Sequence, residues 1–140
     1  MNRVRSKAVA TWLALLLGGV GAHRFYLRGA RDPWAWLHAV PTLIGLYGVQ
    51  RMRALGQDDQ LAWVLIPLLG VVLSITMLMA IVYALTPDEK WDARWNAGRE
   101  VSHSGWPVVF GAIAGLAVGA TVLMSTIAFV AQRIFESLAP

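Results

Sequence analysis

Residues 61–85 read LAWVLIPLLGVVLSITMLMAIVYAL, twenty-five positions without a charge. Wound as a helix, the segment is about 38 Å long, enough to cross a hydrocarbon core of about 30 Å with some tilt. Trp63 and Tyr83 stand near its ends, where amphipathic rings favour the membrane interface. Pro67 is expected to kink it near its start. Residues 106–131 have the same character. They open with Trp106-Pro107, an interfacial anchor followed by a residue suited to the first helical turn.

The rest of the chain fits this setting. Of 140 residues 57% are apolar and 14% charged, with no cysteine, and the mean hydropathy is +0.56. A soluble domain carries about 25% charge, a disordered chain is poor in apolar residues, and a disulfide scaffold needs cysteines. The formal net charge is +4. The basic residues Arg3, Arg5, Lys7, Arg24, Arg28, Arg31, Arg51 and Arg53 flank apolar blocks, a pattern that sets topology and meets anionic lipid rather than nucleic acid. An Arg-, Trp- and Ala-rich composition fits a bacterial chain.

Two shorter blocks precede residue 61. Ala8–Ala22, about 22 Å as a helix, is short for a crossing. It also fits a secretory signal peptide cleaved after Ala22, but is read here as a retained helix extended by Phe25-Tyr26-Leu27. Pro33–Gln50 has Asp32 as an N-cap, Trp34 and Trp36 at one rim and Tyr47 at the other. Pro41 should bend it and free the carbonyl of Leu37. Between the last two blocks, Thr86-Pro87-Asp88-Glu89 has the form of a capping box. Trp91 and Trp95 share a helix face, and Gly98 is placed to end the helix. This predicts a short helix over 86–98 lying on the membrane with both tryptophans down.

The fold expected is all-α and polytopic, with four transmembrane helices and one interfacial helix. Residues 1–55 form one helical hairpin, and residues 56–140 a second that includes the interfacial segment. With four crossings the basic residues divide six against six, so the positive-inside rule does not choose an orientation. If the first block dips in and returns to its own side, the division becomes nine against three.

Candidate chemistry is sparse. The apolar blocks hold no Asp, Glu, Lys, Arg or Cys, and His38 is the one ionisable residue well inside them. With Thr42 it makes a possible intramembrane polar site, although a lone histidine also suits a carbonyl freed by a nearby proline. A bis-histidine haem would need a second buried histidine, and His23 and His103 fall in flanking loops. No metal-ligand spacing or nucleophile–base set occurs, so neither cofactor nor enzyme activity is expected. Gly111, Gly115 and Gly119 repeat every four residues, and Ala10, Ala14, Gly18 and Ala22 do the same. Such stripes let helix backbones approach closely in lipid.

The most specific string is Gly18-Gly19-Val20-Gly21-Ala22-His23-Arg24-Phe25-Tyr26-Leu27, with Ser6-Lys7 ahead of it. Over about residues 5–50 the chain resembles the TM2-domain family of small membrane proteins. Ser6, Lys7, Gly18, Gly21, His23, Arg24, Phe25, Tyr26 and Leu27 match the family pattern. Arg28-Gly29 departs from it, as does the end of the second block. For bacterial members the resemblance implies membrane residence and little established activity. Physically, Arg24 can snorkel to phosphates or cap the first helix, Phe25 and Tyr26 can anchor at headgroup depth, and His23 can cap the helix end or titrate. The function expected is that of a non-enzymatic accessory or packing module in a bacterial inner membrane. Its partners would be anionic headgroups and a second copy or a larger membrane complex. The rival is a small transporter with a path near His38.

Overall fold

The computed structural model describes residues 3–139, and its elements are all helical. They are α1 (Lys7–Leu17), a 3-10 turn (Gly18–Val20), α2 (Ala22–Arg28), α3 (Pro33–Leu55), α4 (Gln60–Leu85), α5 (Asp88–Trp95) and α6 (Trp106–Leu138). Two of these, α4 and α6, are long and apolar enough to cross a membrane.

Two helices of this kind replace the four expected. The first apolar block does not form one rod. α1 has 11 residues, about 16 Å, before the chain tightens into the 3-10 turn and reverses. Gly21 makes the reversal possible. Its φ is +76°, and a Cβ there would collide with the carbonyl oxygen of Ala35, so both the left-handed backbone and the close approach require glycine. The second block does become one helix, the 23-residue α3, which runs through Pro41 without a break. Its two tryptophans, His38 and Thr42 dilute its apolar character.

Register along α4 shows where the first block ends. Lys7 Nζ donates to the Thr86 carbonyl just past α4. Gly18, at the foot of α1, presses on Thr76. Those two positions on α4 are about 15 Å apart, so the α1–α2 hairpin descends partway along α4 and turns back. α3 then runs beside α4 toward the far end, with Gly45 against Leu69 and Gly48 against Leu65. The N-terminal segment, the α2–α3 loop and α5 therefore share one end of the molecule. The α3–α4 loop and the C-terminal end of α6 share the other.

Small residues set the spacing. α1 is wedged between α4 and α6 through fully buried Ala10, Thr11 and Ala14. Gly111 faces Thr11 and Trp12, whereas Gly115 and Gly119 face Met77, Ala80 and Ile81 of α4. The glycine stripe of α6 is thus occupied within the chain by two different helices.

The segment 86–98 also departs from expectation. Its helix is shorter, Asp88–Trp95, and has no side-chain cap. Thr86 Oγ1 donates to Val82, and Asp88 turns to Lys7 and Ser104 instead. Trp91 does not face lipid. It is 1% exposed, packs on Tyr83, and donates its indole N–H to the Arg5 carbonyl at 2.8 Å. Gly98, with φ +75°, does close the helix end, its N–H reaching back to the Asp92 carbonyl.

Candidate functional site

The string around His23 folds into α2, and its side chains part in different directions. Arg24 makes a two-pronged ion pair with Asp32, Nε to Oδ2 at 2.9 Å and Nη2 to Oδ1 at 3.3 Å. Asp32 also caps α3 by accepting from the Trp34 N–H. Burial pushes the Asp32 carboxyl up, but the Arg24 guanidinium and the Trp34 amide outweigh it and hold it below the usual carboxylate range. Arg24 therefore clasps the α2–α3 turn rather than capping the first helix. Phe25 meets Trp36 edge to face at 5.1 Å. Tyr26 accepts the Ser6 N–H at 2.8 Å through its hydroxyl and lies under Arg5. Leu27 enters the core beside Trp91.

His23 is not in a loop. It is fully buried, and neither ring nitrogen has a hydrogen-bond partner. His38 stands 5.5 Å away and Tyr83 5.8 Å away, ring centre to ring centre. The fold thus brings together two histidines that stand 15 positions apart in the chain. His38 donates through Nδ1 to the Trp34 carbonyl at 2.7 Å, one turn before the Leu37 carbonyl that Pro41 frees. Thr42 donates to the Gly19 carbonyl at 2.6 Å and to His38 at 2.9 Å, tying the tip of the hairpin to α3. Among the described residues no group of three or more His, Cys, Asp or Glu could hold a metal.

A second polar cluster closes the same end of the molecule. Lys7 is 3% exposed, and its ammonium donates to Asp88 and Ser104, each at 2.5 Å, and to the Thr86 carbonyl at 2.8 Å. Three acceptors around a buried ammonium satisfy its donor count. Asp92, also 3% exposed, accepts from the Val101 and Ser102 amides, the Ser102 hydroxyl and the Asn96 side chain. Burial raises its carboxyl, and these hydrogen bonds reverse the shift and hold it far below the usual range.

One device escaped the sequence reading. Arg24, Gly29, Asp32 and Trp36 recur at the same spacing as Arg51, Gly56, Asp59 and Trp63. In both loops the arginine grips the aspartate with two prongs. The glycine ends the preceding helix with φ near +90°, and the tryptophan donates its indole N–H to a carbonyl two residues before the aspartate, Ala30 or Gln57. The signal was legible as an Arg-x4-Gly-x2-Asp-x3-Trp repeat. α3 is clamped at both ends by the same loop.

Residues 3–51 match the family model of the TM2 domain. This stretch is similar to a TM2 domain. It takes in α1, α2 and most of α3, just over a third of the chain. No curated protein and no solved structure matches the chain. The TM2 domain stops at Arg51, the first half of the second clasp, and its partner Asp59 lies beyond the domain. An ion pair at 2.8 Å thus joins the TM2 domain to the start of α4. Together with two helices able to cross a bilayer, the TM2 domain suggests a small membrane protein.

Proposed function

We propose that this chain is a non-enzymatic, multi-pass protein of a bacterial inner membrane that serves as an accessory module, joining a second copy or a larger membrane complex. In this reading α4 and α6 cross the bilayer, the less apolar α3 crosses packed against α4, and the α1–α2 hairpin of the TM2 domain re-enters from one side. The observation that carries it is the distribution of side chains. Large apolar residues stand exposed along the flanks, among them Trp36, Leu43, Phe110, Leu116, Met124 and Ile127. The ion pairs Lys7–Asp88, Arg24–Asp32 and Arg51–Asp59 gather at the two ends.

A returning hairpin also resolves the charge balance. Nine basic residues fall at the end that holds the N-terminal segment, and three at the other. The positive-inside rule then puts the N-terminal segment in the cytoplasm and the C-terminal end outside. The accessory role follows from what the flanks offer. The glycine stripe of α6 is filled from within, so a partner meets the bulky apolar faces of α3 and α6. The transport reading has less support, because Thr42 and His38 are both engaged with backbone carbonyls.

The chain has no cysteine, so single cysteines report topology directly. Cysteines at Arg3 and Ala30 should both resist a membrane-impermeant maleimide in intact cells, while those at Gln57 and Ala139 react. Labelling at Ala30 with protection at Gln57 would restore four crossings. Native mass measurement of the protein in mild detergent should find an assembly, and a lone monomer would remove the accessory role.

A further inference from the structure

We propose that the cleft between α2, the end of α4 and α5 binds the phosphate of an anionic phospholipid. This inference rests on the membrane placement proposed above. The cleft has a volume of about 120 Å³ and is lined by Arg24, Arg28, Lys90 and Arg94 together with Trp91 and Trp95, and no carboxylate faces it. Arg24 already has Asp32 as its counter-charge. Arg28, Lys90 and Arg94 have neither an ion pair nor a hydrogen bond from their side chains among the described residues. Arg28 from α2 and Arg94 from α5 are drawn onto one indole, their guanidinium carbons 5.9 and 5.3 Å from the Trp95 ring centre. Two elements distant in sequence thus converge three unpaired cations on one small space.

Like charges repel unless an anion lies between them, and guanidinium forks match the oxygens of phosphate. Of the carboxylates on α5, Asp88 and Asp92 are committed elsewhere, and exposed Glu89 does not line the cleft. Asp88 holds Lys7, and Asp92 closes the loop after α5. The anion must therefore come from outside the chain.

The surroundings select a lipid over a soluble phosphate. Met79 and Val82 of α4 line the cleft, and exposed Leu78, one turn before Val82, continues the apolar surface along α4. A phosphate seated among the cations would leave its acyl chains lying along that strip. The cleft also lies at the end of a crossing helix, the depth of the headgroups, on the side richest in basic residues. Basic pockets between membrane helices on that side are known to take anionic headgroups.

The test uses the full chain, purified in mild detergent, stripped of lipid and titrated with phosphatidylglycerol or phosphatidylcholine by native mass spectrometry. One phosphatidylglycerol per chain should bind more tightly than phosphatidylcholine. The triple variant Arg28→Gln/Lys90→Gln/Arg94→Gln should lose about a hundredfold in affinity, since each juxtamembrane cation contributes about fivefold. The matched triple Arg3→Gln/Arg31→Gln/Arg53→Gln, with the same change in charge outside the cleft, should lose little. Equal losses in the two triples, or no preference between lipids, would overturn the proposal. So would displacement by soluble glycerol phosphate as readily as by lipid, which assigns the cleft to free phosphate esters. If the cleft triple does not fold, Arg28→Gln and Arg94→Gln alone carry the test, each with about a fivefold loss. Loss of assembly with the lipid retained would sink only the accessory role. Failure of the unchanged protein to bind phosphatidylglycerol, with assembly intact, would sink only this inference.

Discussion

Gly45→Ala probes the closest approach of α3 to α4. A Cβ at this position would lie 2.5 Å from the Leu69 Cβ, 2.7 Å from its backbone nitrogen and 3.0 Å from its Cα. Carbon atoms rest about 3.5–4.0 Å apart. The obstacle includes backbone, which no change of rotamer relieves, so the helices must part by about 1 Å. A gap of that size forfeits up to about half of a well that is ~0.1–0.2 kcal/mol deep per atom pair. Over roughly 40 facing pairs the loss is about 2 kcal/mol, within the range of about 1–3 kcal/mol for overpacked interiors. Alanine's better helix propensity returns about 1 kcal/mol. The net expectation is a loss of about 1 kcal/mol, small in size but opposite in sign to what propensity alone predicts. The assay is unfolding of the detergent-solubilised protein by sodium dodecyl sulfate, followed by helical circular dichroism. Gly19→Ala is the comparison, because its Cβ would meet Thr42 and Leu73 no closer than 3.4 Å. If Gly45→Ala proves as stable as the unchanged protein or more so, the steric account of the α3–α4 contact is refuted.

The clasp at Arg24 should respond to geometry as well as charge. Arg24→Ala should lower the melting midpoint and Arg24→Lys recover only part of it, and equal midpoints for Lys and Arg would show that the fork is irrelevant. Trp91 should be shielded from both aqueous acrylamide and brominated lipid, since its side chain is enclosed by protein. Trp91→Phe should cost about 1–2 kcal/mol by leaving the Arg5 carbonyl with a poorer partner, and strong quenching of Trp91 from either phase would place it elsewhere. Asp32, Asp59, Asp88 and Asp92 all have carboxyls below the ordinary 3.8. The unfolded chain therefore binds more protons than the folded one near pH 4. Stability should be level above about pH 5 and fall as pH drops through 4 and lower. A melting midpoint independent of pH between 6 and 3 would contradict this.

The apolar runs at 61–85 and 106–131 announced their helices because length and lack of charge suffice for that. The helix N-cap at Asp32 was equally plain, since Asp-Pro-Trp leaves little choice at a helix start. The turn inside the first block was not legible, because Gly18-Gly19-Val20-Gly21 reads equally well as a close-packing stripe and as a reversal. What decides is a contact with Ala35, fourteen residues on. Trp91 misled for a related reason. Period alone puts it on a face with Trp95, but only the position of Arg5, eighty-six residues earlier, turns that face inward. His23 went unseen as a buried group because its partners His38 and Tyr83 lie on other helices. The duplicated clasp was present in the sequence in full and needed only an internal comparison to find.

The Lys7 cluster sets a schedule for biogenesis. Its partner Asp88 is 81 residues downstream and Ser104 is 97. At about 5–20 residues per second, a ribosome needs roughly 4–20 s to deliver them after Lys7 has emerged. Until α4 has emerged, late in that interval, the first hairpin has no long helix to lean against, and α6 is still to come. On the membrane placement proposed above, a segment too short to span alone would wait at the membrane surface, held by its own arginines and aromatic rings. Burial of the lysine is then a late event, the step that records that the segment between α4 and α6 has arrived.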